Sequence, residues 1–189
     1  MIGKKAEMPS VDEPGIGPTL AAPDGGTIVS DTPSTATGPA REGAPAPDFS
    51  LPSGTGETVT LQQHRGSWVV LYFYPADNTA GCTAEACSFR DAYEDFTDAG
   101  AVVIGVSSDS AESHEKFAAK HRLPFTLLAD DKSALAKTYG VKKSMGVLPG
   151  RVTYVIDPEG IVRKIFSSQL NFSKHQKEAL KTIRAGVPA

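Results

Sequence analysis

The chain has 189 residues, 40% of them hydrophobic, and carries a formal net charge of −3 at neutral pH. This length is enough for one domain with a full hydrophobic core. The slightly acidic balance gives no electrostatic reason to expect nucleic acid or an anionic membrane as a partner. No apolar run reaches the roughly 18 residues that a membrane span needs, so we expect no membrane partner either.

The N-terminus, M-I-G-K-K-A-E-M-P-S, carries positive charge with no apolar segment behind it, and Asp12 and Glu13 follow. This pattern fits neither a secretory signal nor an acid-poor transit peptide. We therefore expect a cytoplasmic protein, with a plastid as the alternative if the chain derives from a longer precursor. In the cytosol a disulfide is more often transient and catalytic than structural.

Residues 1–46 differ in composition from the rest of the chain. They contain seven glycines and seven prolines, and the first aromatic residue is Phe49. Such a segment cannot bury enough apolar surface to offset its ordering entropy. We predict a disordered tail over residues 1–46 and a folded domain over residues 47–189. A small structured lobe at the N-terminus is the alternative.

The folded part opens with two short apolar stretches, D-F-S-L and T-V-T-L, which a turn-rich segment separates. This pattern predicts a pair of strands. An apolar run from Trp68 to Tyr74 predicts a buried strand, and Pro75 ends it. A helical pattern then runs from near Cys82 to Gly100, because apolar residues recur at spacings of three and four.

Strands and helices continue to alternate towards the C-terminus. A-V-V-I-G-V-S and F-T-L-L-A predict two strands, with a helix between them that Ser110 or Ser113 caps. A short helix over 133–139, a hairpin around D-P-E-G and a terminal helix over 174–184 follow. Helical crossovers imply parallel strands at the sheet centre. The sequence therefore predicts an α/β fold, a thioredoxin-like three-layer sandwich with a mixed central sheet.

The only two cysteines, Cys82 and Cys87, lie in the first turns of the helix that follows the buried strand. A thiol attacks only as the thiolate, and the positive end of a helix dipole favours that anion. A guanidinium would add a full positive charge. Arg151 is the first candidate and Arg90 the second, although each can equally be an ordinary surface arginine. Two thiols without a nearby histidine fall short of a zinc site.

The spacing of the two cysteines does not suit a disulfide in an intact helix. Five residues correspond to a rise of about 7.5 Å and a rotation of about 500°, which puts the Cα atoms about 8.6 Å apart. A disulfide tolerates roughly 7 Å at most. Two interpretations stay open: the thiols never bond and act as small hydrophobes, or the first helical turns unwind to let them bond.

Several separated segments resemble one enzyme family. P-A-D-N-T-A-G-C, residues 75–82, matches the Pro-x-x-x-Thr-x-x-Cys signature of peroxiredoxins. The second cysteine five residues later, together with L-P-F-T-L-L-A-D, L-P-G-R-V-T-Y-V-I-D and S-S-Q-L-N-F-S-K-H, is similar to the peroxiredoxin Q (bacterioferritin comigratory protein) group. The resemblance covers about residues 44–186 and does not extend to residues 1–43.

The resemblance implies a role for each matching residue. Cys82 would be the peroxidatic cysteine, which attacks the peroxide and becomes a sulfenic acid, and Cys87 the resolving cysteine. Thr79 would hydrogen-bond peroxide and thiolate, Pro75 would shield the site from water, and Arg151 would stabilise the negative charge. The resemblance further implies hydrogen peroxide and organic hydroperoxides as substrates, thioredoxin or a similar thiol carrier as reductant, a monomer, and no metal or organic cofactor.

Two other function classes stay open on the residues. A general thiol-disulfide oxidoreductase on this fold typically uses Cys-x-x-Cys, whereas the spacing here is Cys-x-x-x-x-Cys. A non-catalytic holdase or binding module would use the tail. We expect a helix-surface salt bridge between Glu85 and Arg90. We also expect four histidines on surface turns or helices without a catalytic role: His64, His114, His121 and His175.

Overall fold

A sheet of five strands forms the centre of the molecule, and helices cover both of its faces. The computed structural model describes residues 38–144 and 148–186. The strands are β1 (Ser50–Pro52), β2 (Thr58–Thr60), β3 (Trp68–Phe73), β4 (Ala101–Ser107), β5 (Thr126–Ala129), β6 (Lys143–Ser144), β7 (Leu148–Pro149), β8 (Val152–Ile156) and β9 (Val162–Ser167). The helices are α1 (Ala80–Asp91), α2 (Tyr93–Asp98), α3 (Ala111–His121), α4 (Ala134–Thr138) and α5 (Phe172–Ala185), with a short 3-10 helix at Gln62–His64.

Strand β3 lies in the middle of the sheet, whose order is β5-β4-β3-β8-β9. It pairs parallel with β4 and antiparallel with β8, so that Leu71 lies opposite Ile104 on one side and Tyr154 on the other. All six residues of β3 are buried, as a strand covered on both faces requires. The predicted three-layer α/β sandwich around a mixed sheet is therefore confirmed.

Alternate residues of β3 pack into two separate cores, because successive side chains of a strand point to opposite faces. Tyr72 and Tyr74 belong to the core that includes α1 and α5. Leu71 and Phe73 belong to the core on the other face, which includes α4. Tyr74, the residue that follows β3, therefore lies in the first of these cores and leads into the turn before α1.

The sequence predicts one helix from near Cys82 to Gly100, but the structure divides this segment into α1 and α2. The break lies at Ala92, whose φ of −102° and ψ of 11° depart from helical values. Phe89 and Phe96 still pack together across the break, with ring centroids 5.8 Å apart. The core-facing stripe is present, although the helix is not continuous.

Residues 43–46, which the sequence assigns to the tail, bond to the loop and strand that follow β8. The Gly43 N–H donates to the Val162 carbonyl at 2.8 Å, and the Ala46 N–H donates to the Gly160 carbonyl at 2.9 Å. The packed part of the chain thus starts before the predicted boundary at Pro47. Residues 1–37 of the predicted tail lie outside the described residues. Of the helices described, none is long and apolar enough to cross a membrane.

We predict that Gly105→Ala destabilises the fold, because β4 lies very close to the side chains of Tyr72 and Leu127 at this position. A Cβ at Gly105 would lie 2.7 Å from both the Tyr72 hydroxyl oxygen and Leu127 Cδ2. Overpacking of this kind costs about 1–3 kcal/mol in the free energy of unfolding, which urea titration measures. Thr58→Ala, at an exposed position of β2, is the control and should stay within about 0.5 kcal/mol of wild type. Equal stability of Gly105→Ala and wild type would contradict the close packing.

Candidate active site

Helix α1 begins with Thr79 as its N-cap. Thr79 has an extended backbone, and its Oγ1 accepts a hydrogen bond from the Cys82 N–H at 3.3 Å and donates one to the Ala76 carbonyl at 3.4 Å. An N-cap hydroxyl satisfies one of the free N–H groups of a first helical turn. Cys82 is thereby fixed at the third position of α1, at the positive end of the helix dipole.

The sulfur of Cys82 is buried and faces a guanidinium. Cys82 is 1% exposed and Arg151 is 4% exposed. Arg151 Nη2 donates to Cys82 Sγ at 3.4 Å. Charges attract more strongly in a buried site than in water, so this contact stabilises a thiolate. Of the two candidate arginines, the structure brings Arg151, not Arg90, to this sulfur.

Glu85 holds the same guanidinium from its other side. It is fully buried, and its Oε2 accepts a hydrogen bond from Arg151 Nη1. Burial raises the pKa of Glu85 to about 7, although the charge and hydrogen bond of Arg151 oppose the rise. The expected salt bridge with Arg90 is wrong, because Arg90 bonds to Asp91 instead, with 2.9 Å between Nε and Oδ1. The sequence spacing does indicate this arrangement, because Glu85 comes three positions after Cys82 and residues at this spacing lie on one helix face.

His175, from α5, lies behind Glu85 and is also fully buried. Its Nε2 is 2.9 Å from the Ser168 carbonyl and its Nδ1 is 2.8 Å from Thr153 Oγ1. A carbonyl oxygen only accepts, so Nε2 carries the proton and Nδ1 accepts from the Thr153 hydroxyl. Burial, and then the charge of Arg151, lower the pKa of His175 to about 4. The expectation that His175 lies on the surface is wrong, because α5 turns this residue onto the sheet.

The aromatic ring of Phe172, at the start of α5, covers Arg151. The guanidinium carbon lies 4.7 Å from the ring centroid, a distance that gives a cation–π contact. A Cβ at Gly81 would come within 2.8 Å of the Phe172 ring and 3.3 Å of Arg151 Nη2. Glycine at 81 therefore lets both side chains approach the first turn of α1. Sequence patterns gave no signal for either contact.

A second buried network fixes the turn that precedes α1. Asp77 Oδ2 lies 2.9 Å from His114 Nδ1 and accepts from the Ser113 hydroxyl at 2.7 Å, while Oδ1 accepts from the Tyr74 hydroxyl at 2.8 Å. His114 Nε2 lies 3.1 Å from the Leu128 carbonyl. Burial would raise the pKa of Asp77, but hydrogen bonds from His114 and Ser113 outweigh it and lower the pKa. The predicted surface position of His114 is wrong as well.

The other predicted site residues lie on the same segment. Pro75 is half-buried and follows the last residues of β3. Cys87 is half-buried, and both cysteines are free. Because α1 is continuous from Ala80 to Asp91, Cys87 lies on the same intact helix as Cys82, and the two thiols are not at disulfide distance. The predicted mismatch between the cysteine spacing and an intact helix is therefore present.

Comparison with known proteins agrees with this geometry. Residues 43–165 match the model of the AhpC/TSA family. The chain is 50% identical over 148 residues to the chloroplastic peroxiredoxin Q of Triticum aestivum, which covers 78% of this chain and 68% of the relative. The solved structure of the peroxidoxin BcpB from Mycobacterium tuberculosis has a TM-score of 0.73 and 37% identity, covering 79% of this chain and 99% of that one. Peroxiredoxin Q from Xanthomonas campestris has a TM-score of 0.69 and 34% identity, covering 73% and 90%.

The chain therefore belongs to the AhpC/TSA family. The resemblance drawn from residues 75–82 is confirmed, and within that family the chain is a peroxiredoxin, an enzyme that acts as a thiol peroxidase. The expected cytoplasmic location is overturned, because relatives from several plants share the name chloroplastic peroxiredoxin Q. That expectation was based only on the charge and the acidic residues of the first positions.

We predict that His114→Gln destabilises the protein, because it removes the imidazole nitrogen that the buried Asp77 carboxylate contacts at 2.9 Å. Leaving a buried charged acceptor without one of its partners costs about 1–3 kcal/mol or more, measurable by urea unfolding. The double variant His114→Gln/Asp77→Asn should recover part of this loss, since it leaves no uncompensated charge. Lys116→Ala is the control, because it breaks an exposed ion pair with Glu112 on the same helix and should behave like wild type. Losses that simply add in the double variant would contradict a direct pair.

Proposed function

We propose that this protein reduces hydrogen peroxide and organic hydroperoxides at Cys82 and regenerates itself through a Cys82–Cys87 disulfide. The observation that carries the proposal is the hydrogen bond from Arg151 Nη2 to the buried Cys82 Sγ, 3.4 Å long. It aims a fixed positive charge at the sulfur and at the space beside it. Preorganised charge at the place where negative charge develops is the strongest common source of catalysis.

In the first step the Cys82 thiolate attacks the nearer peroxide oxygen. An S–O bond forms, the O–O bond breaks, and the departing oxygen leaves as water or as an alcohol after it gains a proton. The negative charge moves from sulfur to that oxygen, and Arg151 can stabilise it at both ends of this movement. Thr79 already bonds to the backbone of Cys82 through its hydroxyl, so the same group is placed to orient the peroxide.

The burial of the sulfur supports a site that excludes water. Only 1% of Cys82 is exposed, and the half-buried Pro75 begins the turn that leads to it. We assign Pro75 the shielding role. Excluding water strengthens each electrostatic contact inside the site.

In the second step the Cys87 thiolate attacks the Cys82 sulfenic acid. An S–S bond forms, the S–O bond breaks, and the sulfenic oxygen leaves as water after it gains a proton. The intact helix keeps the two thiols apart, so the first turns of α1 must open before this step. Opening also limits the time for which the sulfenic acid is exposed to a second peroxide, which would oxidise it irreversibly.

A thiol carrier of the thioredoxin type then reduces the disulfide by exchange, which returns both cysteines to thiols. The enzyme acts as a monomer in this proposal. The plant relatives named chloroplastic support a plastid as its compartment.

We predict that Cys82→Ser abolishes peroxide consumption, since it removes the sulfur that Arg151 Nη2 contacts. The assay couples peroxide to thioredoxin, its reductase and NADPH oxidation. Cys87→Ser should consume one equivalent of peroxide in a single turnover and then stop, because the sulfenic acid has no resolving partner. Full activity of Cys82→Ser would rule out the proposed nucleophile, and unchanged steady-state turnover of Cys87→Ser would remove Cys87 from the resolving role.

We also predict that oxidation opens the first turns of α1. Amide hydrogens between Cys82 and Phe89 should exchange faster in the disulfide form than in the reduced form, as mass spectrometry of exchanged peptides detects. Cys87→Ser treated with one equivalent of peroxide is the matched control, because it is oxidised but cannot form the disulfide. Equal exchange in the reduced and disulfide forms would mean that the helix does not open.

A further inference from the structure

A buried acid and a buried imidazole lie behind Arg151, on the side away from Cys82. Glu85 Oε2 bonds to Arg151, but Glu85 Oε1 has no hydrogen-bond partner among residues 38–144 and 148–186. The atom nearest to pairing with it is His175 Nδ1, at 3.5 Å. An unpaired oxygen of a buried, ionised carboxylate is costly in free energy. This arrangement therefore indicates that Glu85 is not simply an ionised carboxylate.

The hydrogen bonds of His175 restrict where a proton can lie. Its Nε2 faces the Ser168 carbonyl and must donate. Its Nδ1 therefore presents a lone pair, towards Thr153 Oγ1 at 2.8 Å and Glu85 Oε1 at 3.5 Å. A lone pair and an ionised carboxylate oxygen repel each other at this distance. One proton between Glu85 Oε1 and His175 Nδ1 turns that repulsion into attraction.

The balance of charges among Cys82, Glu85 and Arg151 also favours a proton between Glu85 and His175. The charged or titratable groups around the pair are Arg151, Cys82 and Tyr72, and burial, followed by the charge of Glu85, keeps the Tyr72 hydroxyl neutral by raising its pKa. With Cys82 as the thiolate and Glu85 ionised, two buried anions would share the single cation of Arg151. If Glu85 holds a proton, one anion and one cation remain, and the cluster is neutral.

We propose that His175 is a positioning residue that shares a proton with Glu85, and that this proton is bound while Cys82 is a thiolate and released when the sulfur loses its charge. The Nδ1 lone pair of His175, which also faces the Thr153 hydroxyl, accepts from the protonated Glu85 and so keeps the carboxyl neutral beside Arg151. Arg151 then directs its charge to Cys82. The raised pKa of Glu85, about 7, agrees with a group that changes its protonation near neutrality.

The reaction balance includes this proton. Thiolate attack on a peroxide, Cys82–S⁻ + ROOH + H⁺ → Cys82–SOH + ROH, forms one S–O bond, breaks one O–O bond and consumes one proton. Sulfur loses two electrons and the departing oxygen gains them. The Glu85–His175 pair releases one proton as the thiolate charge disappears, so Glu85–COOH becomes Glu85–COO⁻ and then balances Arg151 alone.

The test is a double-mutant cycle on the pH at which the Cys82 thiolate forms. Ultraviolet absorbance of the thiolate is followed against pH in the Cys87→Ser protein, where Cys82 is the only sulfhydryl. Glu85→Gln should lower the midpoint by at least about one pH unit, because it removes a neighbouring like charge. His175→Gln keeps a donor for the Ser168 carbonyl but offers no basic nitrogen, so Glu85 ionises more readily and the midpoint should rise.

The decisive result is the combination of the two substitutions. In the Glu85→Gln background, His175→Gln should leave the midpoint unchanged, since there is no shared proton to lose. An equal shift in both backgrounds, or no shift in either, would overturn the proposal. His64→Gln, a half-buried histidine outside this cluster, is the control and should not move the midpoint.

A second measurement needs no substitution in the pair, so it holds even if His175→Gln fails to fold. Infrared difference spectra of Cys87→Ser are recorded with Cys82 as thiolate and with Cys82 capped by methyl methanethiosulfonate, which leaves the sulfur uncharged. The protonated-carboxyl band should disappear on capping, and its persistence would contradict the proposal. The inference rests on the proposed function only in assigning Cys82 as the reacting sulfur. Neither experiment uses peroxide, so each can fail while peroxidase activity stands.

Discussion

The site depends on one buried cation. Arg151 is 4% exposed, and a guanidinium in such surroundings is stable only with partners that offset its lost hydration. Two partners come from α1, Glu85 and Cys82, on successive turns of the same face. Arg151 itself comes just before β8, next to the central strand. The guanidinium therefore links the helix that carries the nucleophile to the sheet, and the position of the sulfur follows from that link.

The contact between Arg151 and Cys82 also explains how oxidation of the sulfur can loosen the first turn of α1. As a thiolate, Cys82 supplies the negative charge that holds Arg151 to the first turn of α1. Once the sulfur is oxidised its charge is gone, and the first turn of α1 loses that attraction. Glu85 still holds Arg151 one turn further along. Loss of the thiolate charge thus weakens the first turn selectively, which is the part that must open for Cys87 to reach Cys82.

The sequence predicted those features that depend on local pattern. Apolar runs predicted the strands of the sheet, and apolar residues that recur at spacings of three and four predicted the helical segment that carries Cys82. It did not predict contacts between elements far apart in the chain. His175 and His114 resemble surface residues because their neighbours are polar, and only the packing of α5 and α3 on the sheet buries them. The contact between Phe172 and Arg151 was missed for the same reason. Local periodicity carries no information about contacts between elements that are distant in the sequence.

The two buried histidines belong to separate hydrogen-bond networks, which differ in their partners. Both nitrogens of His114 bond to partners from other elements, the Asp77 carboxylate and the Leu128 carbonyl, so that pair acts as a fixed anchor for the turn before α1. His175 faces one acceptor and one hydroxyl, so its Nδ1 keeps a lone pair that can share a proton with Glu85. The first network can therefore hold the backbone of the site constant while the second changes its protonation with the charge on sulfur. A site that must keep its geometry through a change of charge requires both.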